Sequence, residues 1–291
     1  MEFVNFKEKK DLEVKGLLDG NGFVKVVNVS PELCPKGYTP EYLIAKAARA
    51  SYNQDNKSPA ADKRLLEFLV RNNHTSPLEM CSITFCMKLP VAICRQLLRH
   101  RTGKFNEFSQ RYTEITEEVD RFRLDKTAMS LRGPISTNLQ ASEYNLTEEQ
   151  IPKILDKIKE LEILQDQVFK NYKDLLELGY AKELARFYLP VSTYTIIYVQ
   201  FDLNNLMKFL RLRCAPDAQL EIKVYADAMK KLASQFFPNT FDIYAQYENS
   251  FSIGKYELQM IKERKIPEEV KSKTHIEEMK NMAENFGIEL N

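Results

Sequence analysis

The sequence predicts a mixed α/β or α+β domain, on three observations. Short stretches with period-two alternation, or rich in β-branched and aromatic residues, read as strands. Longer stretches between them repeat apolar residues every three or four positions, the spacing of helices with one buried face. No repeat, low-complexity tract or Pro/Gly/Ser linker divides the chain. Its 291 residues, 44% hydrophobic, therefore suffice for one large core with a C-terminal appendage.

The elements follow in order. GFVKVVNV (22–29) reads as a first strand. SPAADKRLLEFLVRNN opens with Ser58 as N-cap and Pro59 at the first helical position. It puts Leu65, Leu66, Phe68 and Leu69 along one face and stops near Asn73. In CSITFCMKLP, Ile83, Phe85, Met87 and Leu89 alternate with Ser82, Thr84, Cys86 and Lys88, as in a half-buried strand that Pro90 ends. PVAICRQLLRHRTG then predicts a helix with Cys94, Leu97 and Leu98 on one side, Arg95 and Arg99 on another, and Gly103 as a left-handed C-cap. A long helix over about 149–178 carries Ile154, Ile158, Leu161, Val168, Tyr172 and Leu175 at near-heptad spacing, for core or subunit packing, with Gly179 as its stop. STYTIIYVQF (192–201) reads as a strand, and Asp202 as N-cap of LNNLMKFLRLR, whose buried stripe is Leu203, Leu206, Met207 and Leu210. A further helix runs through DAQLEIKVYADAMKKLASQFF. Near the end, IPEEVKSKTHIEEMKNMAENFGIEL reads as a charged amphipathic helix with Ile276, Met279, Met282 and Phe286 on one side and His275 on its surface.

Composition narrows the function classes. Lys and Arg number 42 against 41 Asp and Glu, so no global charge draws the chain to nucleic acid or an anionic membrane. Any anion site must be local. The charged start MEFVNFKEKKDLEVKG lacks an apolar signal region, and no eighteen apolar residues run together, which predicts a soluble, cytoplasmic protein. Five cysteines, Cys34, Cys81, Cys86, Cys94 and Cys214, form no CxxC pair and are expected as free thiols, with no metal site.

The local exception to charge balance is RHRTGKFNEFSQRY (99–112). Between positions 95 and 112, Arg95, Arg99, Arg101, Lys104 and Arg111 face a single acid, Glu107. A helix C-terminus favours one or two cations by roughly 0.3 to 1 kcal/mol each. Five repel one another unless counter-ions or a bound anion relieve them. Arginine forks grip phosphate bidentately, and Asn106, Ser109 and Gln110 can add neutral hydrogen bonds. His100, between two arginines, is expected to stay neutral near pH 7. Nearby, HTSPLEM (74–80) sets His74 beside hydroxyls and Glu79, while Arg186 and Arg213 lie in apolar segments where a buried charge needs a partner.

Arg99, His100 and Arg101, then seven residues, then Ser109 resemble the RHR(x)7S signature of the flavin-dependent thymidylate synthases, the ThyX family. The resemblance extends through AARASY (47–52), HTSPLE (74–79), ICRQLLRHR, NEFSQRY, TNLQAS (137–142), ARFYLP and NLMKFLRLRCAPDAQLEI, roughly residues 22–247. It implies a ThyX-like catalytic domain over 1–250 with a central, mostly antiparallel sheet flanked by helices, and a helical extension over 251–291. It also implies conversion of dUMP to dTMP, with methylenetetrahydrofolate as carbon donor, NADPH as reductant and FAD as tightly held cofactor, in a homotetramer with active sites at subunit junctions.

By motif position, Arg99, His100 and Arg101 resemble residues that hold FAD, with Ser51, His74, Ser76, Glu79 and Glu107 completing the pocket. Asp202, Asn204 and Lys208 stand where the family often has Asn, Arg and Asn or His around the flavin. Lys104 replaces a small residue and Met80 a common His. Gln96, Glu107, Ser109, Gln110, Arg111, Arg186 and Arg213 resemble the dUMP site. Arg111 would meet the phosphate and Arg213 would stabilise charge developing on the uracil. Ser109 would lie near the pyrimidine without acting as nucleophile, and His100 would orient the flavin and assist folate chemistry.

Two rivals remain on sequence grounds. The basic 95–112 segment, with Phe105, Phe108 and Tyr112 interleaved, suits a flavin-free single-stranded nucleic-acid-binding protein. A classical thymidylate synthase would instead need a nucleophilic cysteine, yet no cysteine here adjoins a histidine, and Cys214 alone lies near the dUMP residues.

Overall fold

The computed structural model describes residues 3–5, 11–51, 58–116, 120–123, 131–135, 142–246 and 253–290. The chain opens with strands β1 (Phe3–Asn5), β2 (Glu13–Leu17), β3 (Gly22–Ser30) and β4 (Leu33–Pro35), then helices α1 (Tyr42–Ala50) and α2 (Pro59–Arg71). A 3-10 turn, Ser76–Met80, leads into β5 (Ser82–Pro90), α3 (Val91–Leu97) and β6 (Lys104–Glu107). The short β7 (Gly133–Pro134) and β8 (Ser142–Glu143) precede α4 (Gln150–Glu177), the short α5 (Lys182–Ala185) and a 3-10 turn, Arg186–Tyr188. Then come β9 (Tyr194–Asp202), α6 (Leu203–Arg213), α7 (Leu220–Ser234), α8 (Pro238–Ala245), α9 (Lys255–Glu263) and α10 (Lys273–Asn285).

The main sheet has the order β2-β3-β5-β9-β6, and every neighbouring pair is antiparallel. The mixed architecture around an antiparallel sheet is the expected one. Long registers hold its centre, from Ser82↔Asp202 to Pro90↔Tyr194 between β5 and β9. Along β5 the expected alternation survives only in the first half. From Phe85 to Pro90 every residue is buried, because the strand is central and the second face is also covered. Lys88 there lies 5.3 Å from the Tyr194 ring centroid and 3.5 Å from Asp120 Oδ1, which compensates its buried charge.

Local signals set several boundaries. Ser58 Oγ accepts from Ala61 N–H and caps α2, and Asp202 Oδ1 accepts from Asn205 N–H at 2.9 Å to start α6. The α6 stripe is buried as expected, with Phe209 added to it. Phe68, expected on the apolar face of α2, is instead half exposed and packs edge-on against His74.

The helix expected to run to Gly103 ends at Leu97, and Leu98 stays partly exposed. Residues 98–103 continue as turns in which Arg99 N–H reaches Gln96 O and Gly103 N–H reaches His100 O. Gly103 is not left-handed. A Cβ there would lie 2.7 Å from both Phe105 Cζ and Phe201 Cε1, so ring packing rather than backbone handedness requires the glycine.

In α4 the expected stripe divides. Tyr172 is buried in a cluster with Phe169, Ile115 and Ala185, against which Leu175 packs, whereas Leu161 is exposed, as are Ile163 and Leu164 outside the stripe. Gly179, φ 83°, ends that segment. Arg121, fully buried, holds α4 through Glu162 and Asp166 and donates to Glu162 O at 2.7 Å.

Two compact units divide the chain, one up to Tyr244 and the other from Ala245. In the second, Met260, Val270, Met279, Met282 and Ala283 form a core against which Ile276 packs. Its last helix starts only at Lys273, capped by Ser272, so 266–272 lie outside it. Phe286 sits past the helix end and is half exposed, contrary to its expected place on the apolar face. His275 Nε2 lies 2.5 Å from Glu257 Oε1 and ties α10 to α9. Cys34, Cys81, Cys86 and Cys94 are buried free thiols and Cys214 is partly buried. Among the described residues no helix is long and apolar enough to cross a membrane.

Candidate active site

The basic stretch folds as the turn after α3, the edge strand β6 and the loop beyond it, beside the C-terminal end of α6. Its anchor is His100. Arg213 Nε donates a hydrogen bond to His100 Nε2 at 3.0 Å. An imidazole nitrogen that accepts cannot carry a proton, so His100 is the Nδ1–H tautomer in its neutral form. Its ring meets Phe209 edge-on, with centroids 4.8 Å apart; Phe209 stacks on Phe201 at 5.4 Å, and Phe201 meets Phe105 edge-on at 6.1 Å. This aromatic column, for which Gly103 makes room, fixes the imidazole plane.

Burial pushes the His100 pKa below its ordinary value, and the Arg213 charge pushes it further down. The expected neutral imidazole is thus reached by a different cause. Arg99 and Arg101, credited from the sequence, are exposed and solvated, whereas Arg213 touches the ring. Burial lowers the Arg213 pKa as well.

Other candidate residues are tied locally. Glu107 Oε1 accepts from Thr195 Oγ1 at 2.8 Å, and Gln96 Nε2 donates to Gln219 Oε1. Glu79 Oε1 accepts a long 3.4 Å bond from Asn204 Nδ2, bringing the Ser76–Met80 turn against the start of α6. Asn204 is buried, and Asp202 spends both carboxylate oxygens on Asn205. Ser51, His74 and Ser76 are exposed, as are Arg95, Arg99, Arg101, Lys104 and Lys208. Among the described residues, Arg95, Arg99, Arg101 and Lys104 form no ion pair.

Arg111, Glu183 and Arg186 gather around one another. Arg111 Nε lies 3.6 Å from Glu183 Oε2, and Arg186 Nε donates to Glu183 O at 3.3 Å. Ser109 Oγ accepts from Arg111 N–H at 3.4 Å, and Gln110 is partly buried. Among the described residues no hydrogen bond joins Arg111 or Arg186 to Arg213. Neither Arg186 nor Arg213 is the fully buried charge their apolar segments suggested, because each stands where its element meets solvent. Among the described residues the buried guanidinium groups are Arg49, paired with Asp62, and Arg121. No periodicity in the sequence distinguishes them.

An open cavity of about 690 Å³ lies beside α4, lined by Val168, Tyr172, Leu175, Leu178, Tyr180 and Tyr188. A smaller one of about 60 Å³ includes Tyr38, Glu41 and Asp62. Neither is lined by the candidate residues. Among the described residues no group of His, Cys, Asp or Glu is arranged to hold a metal. Tyr52 of AARASY and all of TNLQAS except Ser142 lie outside the described residues.

With this geometry, the similarities are informative. A family model described as Thymidylate synthase complementing protein matches residues 33–239. A flavin-dependent thymidylate synthase from Dictyostelium discoideum is 35% identical over 243 residues, covering 83% of this chain and 78% of that protein. One from Thermus thermophilus is 34% identical over 249 residues, covering 85% and 84%. Among solved structures, the UMP/dUMP methylase PolB from Streptomyces cacaoi, bound with 5-Br UMP, superposes with a TM-score of 0.63 at 26% identity, covering 78% of this chain and 95% of PolB.

Proposed function

Since the chain belongs to the flavin-dependent thymidylate synthase family, we propose that it converts dUMP to dTMP with FAD as its flavin, methylenetetrahydrofolate as carbon donor and NADPH as reductant. The observation that carries the site is the Arg213–His100 pair beside exposed cations that form no ion pair among the described residues.

The donor set suits FAD. Arg99, Arg101 and Lys104 offer guanidinium and ammonium groups to a pyrophosphate, and the exposed His74, Ser76 and Glu79 offer hydrogen bonds to ribose or ring. His100 has a fixed tautomer with which to orient the flavin, and Glu107 and Ser51 complete the pocket. Asp202, Asn204 and Lys208 border it. Asp202 acts there through its cap on α6, and Lys208 supplies charge in place of a family arginine at 204. When bound, the flavin supplies the hydride that reduces the transferred carbon.

For the nucleotide, Arg111 and Arg186 suit the phosphate, with Gln96, Glu107, Ser109 and Gln110 as neutral or polar contacts. Arg213 faces negative charge that develops on the uracil, and its partial burial makes that stabilisation stronger than in water. Each site is taken to be assembled from more than one copy, in a homotetramer, as the family resemblance implies. Exposed Leu161, Ile163 and Leu164 on α4 supply apolar surface for that contact.

Nothing supports the single-stranded nucleic-acid reading of residues 95–112, and the balanced net charge opposes it. The deciding experiment is the visible spectrum of the purified protein. A flavin spectrum, bleached by NADPH and followed by dTMP formation with dUMP and methylenetetrahydrofolate, is expected. A colourless protein that takes up no added FAD would defeat the proposal.

A further inference from the structure

We propose that His100 is a positioning residue for Arg213: its unprotonated Nε2 holds the guanidinium by Nε and leaves the two Nη groups to face the pyrimidine nucleotide. The inference rests on the thymidylate synthase reading and adds a role for His100 distinct from contact with the flavin.

Three observations converge. Arg213 Nε–H is satisfied by His100, and among the described residues the guanidinium has no other hydrogen-bond partner. The imidazole cannot swing away freely, because Phe209 meets it edge-on and Phe209 is itself stacked on buried Phe201. The same helix, α6, carries Phe209 and Arg213 four residues apart, so one helical face presents both the ring that clamps His100 and the group that His100 clamps. Restricting a long arginine before the ligand arrives removes part of the ordering cost of binding.

The arrangement works only while His100 is neutral. Protonation would put an N–H at Nε2 against the Arg213 N–H and add a like charge beside it. Arg213 is the charged group facing the ring from α6, the chain neighbours Arg99 and Arg101 are exposed, and among the described residues no carboxylate pairs with the imidazole. Among the described residues none favours the charged ring. Acid should therefore release Arg213 and weaken nucleotide binding below the ordinary histidine range, consistent with the depressed His100 pKa.

The test is calorimetric titration of dUMP into flavin-loaded protein between pH 5 and 8, with nitrogen-15 imidazole spectra of the same protein. The chain has only three histidines, so the His100 signal is identified by its loss in His100→Gln. Wild type should show an Nδ1–H tautomer and dUMP affinity that falls by about tenfold per pH unit once His100 titrates. His100→Gln, which keeps an acceptor but cannot ionise, should show a shallower slope whatever its affinity at pH 8, the remainder coming from the dUMP phosphate, whose second ionisation falls at about pH 6. Phe209→Leu should weaken dUMP roughly two- to thirtyfold at pH 8 while flavin content stays normal. An Nε2–H tautomer, an unchanged acid slope in His100→Gln, or full dUMP affinity in Phe209→Leu would each overturn the inference and leave the functional reading standing. No dUMP binding by wild type at any pH would defeat both.

Discussion

Arg213 reaches across 113 positions of sequence to place its Nε 3.0 Å from His100 Nε2, so the C-terminal end of α6 and the turn after α3 share one hydrogen bond. A histidine can accept from an arginine only while its ring is neutral. That condition makes the pair sensitive to substitution and to pH.

Arg213→Ala is expected to abolish thymidylate formation, with a loss of at least about 10²- to 10³-fold in kcat, the scale for removing one donor aimed at developing charge. Steady-state assays with the flavin-loaded variant test it. Near-normal turnover would remove Arg213 from the chemistry.

Glu183→Gln should tighten the nucleotide. The Arg111–Glu183 pair is about half exposed on both sides, and such pairs contribute roughly 0–1 kcal/mol. On the proposed assignment of Arg111 to the nucleotide phosphate, that phosphate displaces Glu183. A lower KM for dUMP with little change in kcat is the expected outcome, and a raised KM would argue that Glu183 orients Arg111.

Gly103→Ala should cost about 1–3 kcal/mol, since the new methyl meets two aromatic rings that are packed against further rings. Urea unfolding measures it. Wild-type stability would mean that Phe105 moves aside freely.

Arg121→Ala should destabilise by roughly 3–5 kcal/mol, the scale for removing one partner of a buried ion pair, and toward the lower end because Asp166 is half exposed. The same unfolding experiment reads it. A change under about 0.5 kcal/mol would be that of an ordinary surface site.

Cys214→Ser should retain activity. Burial, reinforced by a hydrogen bond with Asp227, pushes this thiol up to about 12, which leaves almost no thiolate at neutral pH. Loss of dTMP formation in this variant alone would bring back a cysteine-nucleophile mechanism.

What the sequence discloses depends on how far apart the deciding groups lie. Ser58 and Asp202 are caps whose partners sit three residues away, and both are legible. The antiparallel strands announce themselves through alternation, except where β5 becomes central and is covered on its second face. Gly103 looks like a helix stop because its neighbours suggest one, but its need for space comes from Phe201, nearly a hundred positions on. The charge at 99–111 is visible as composition, whereas the choice of Arg213 rather than Arg99 or Arg101 as the neighbour of His100 is made by the packing of Phe209. Buried Arg49 and Arg121 resemble surface arginines until Asp62, Glu162 and Asp166 are brought to them.

The wet row of Leu161, Ile163 and Leu164 bears on handling the protein as well as on its design. If copies of the chain shield that row for one another, thinning a stock strips the shield away, and precipitate should increase on dilution rather than decrease. Light scattering across a dilution series would show this reversal of the usual trend.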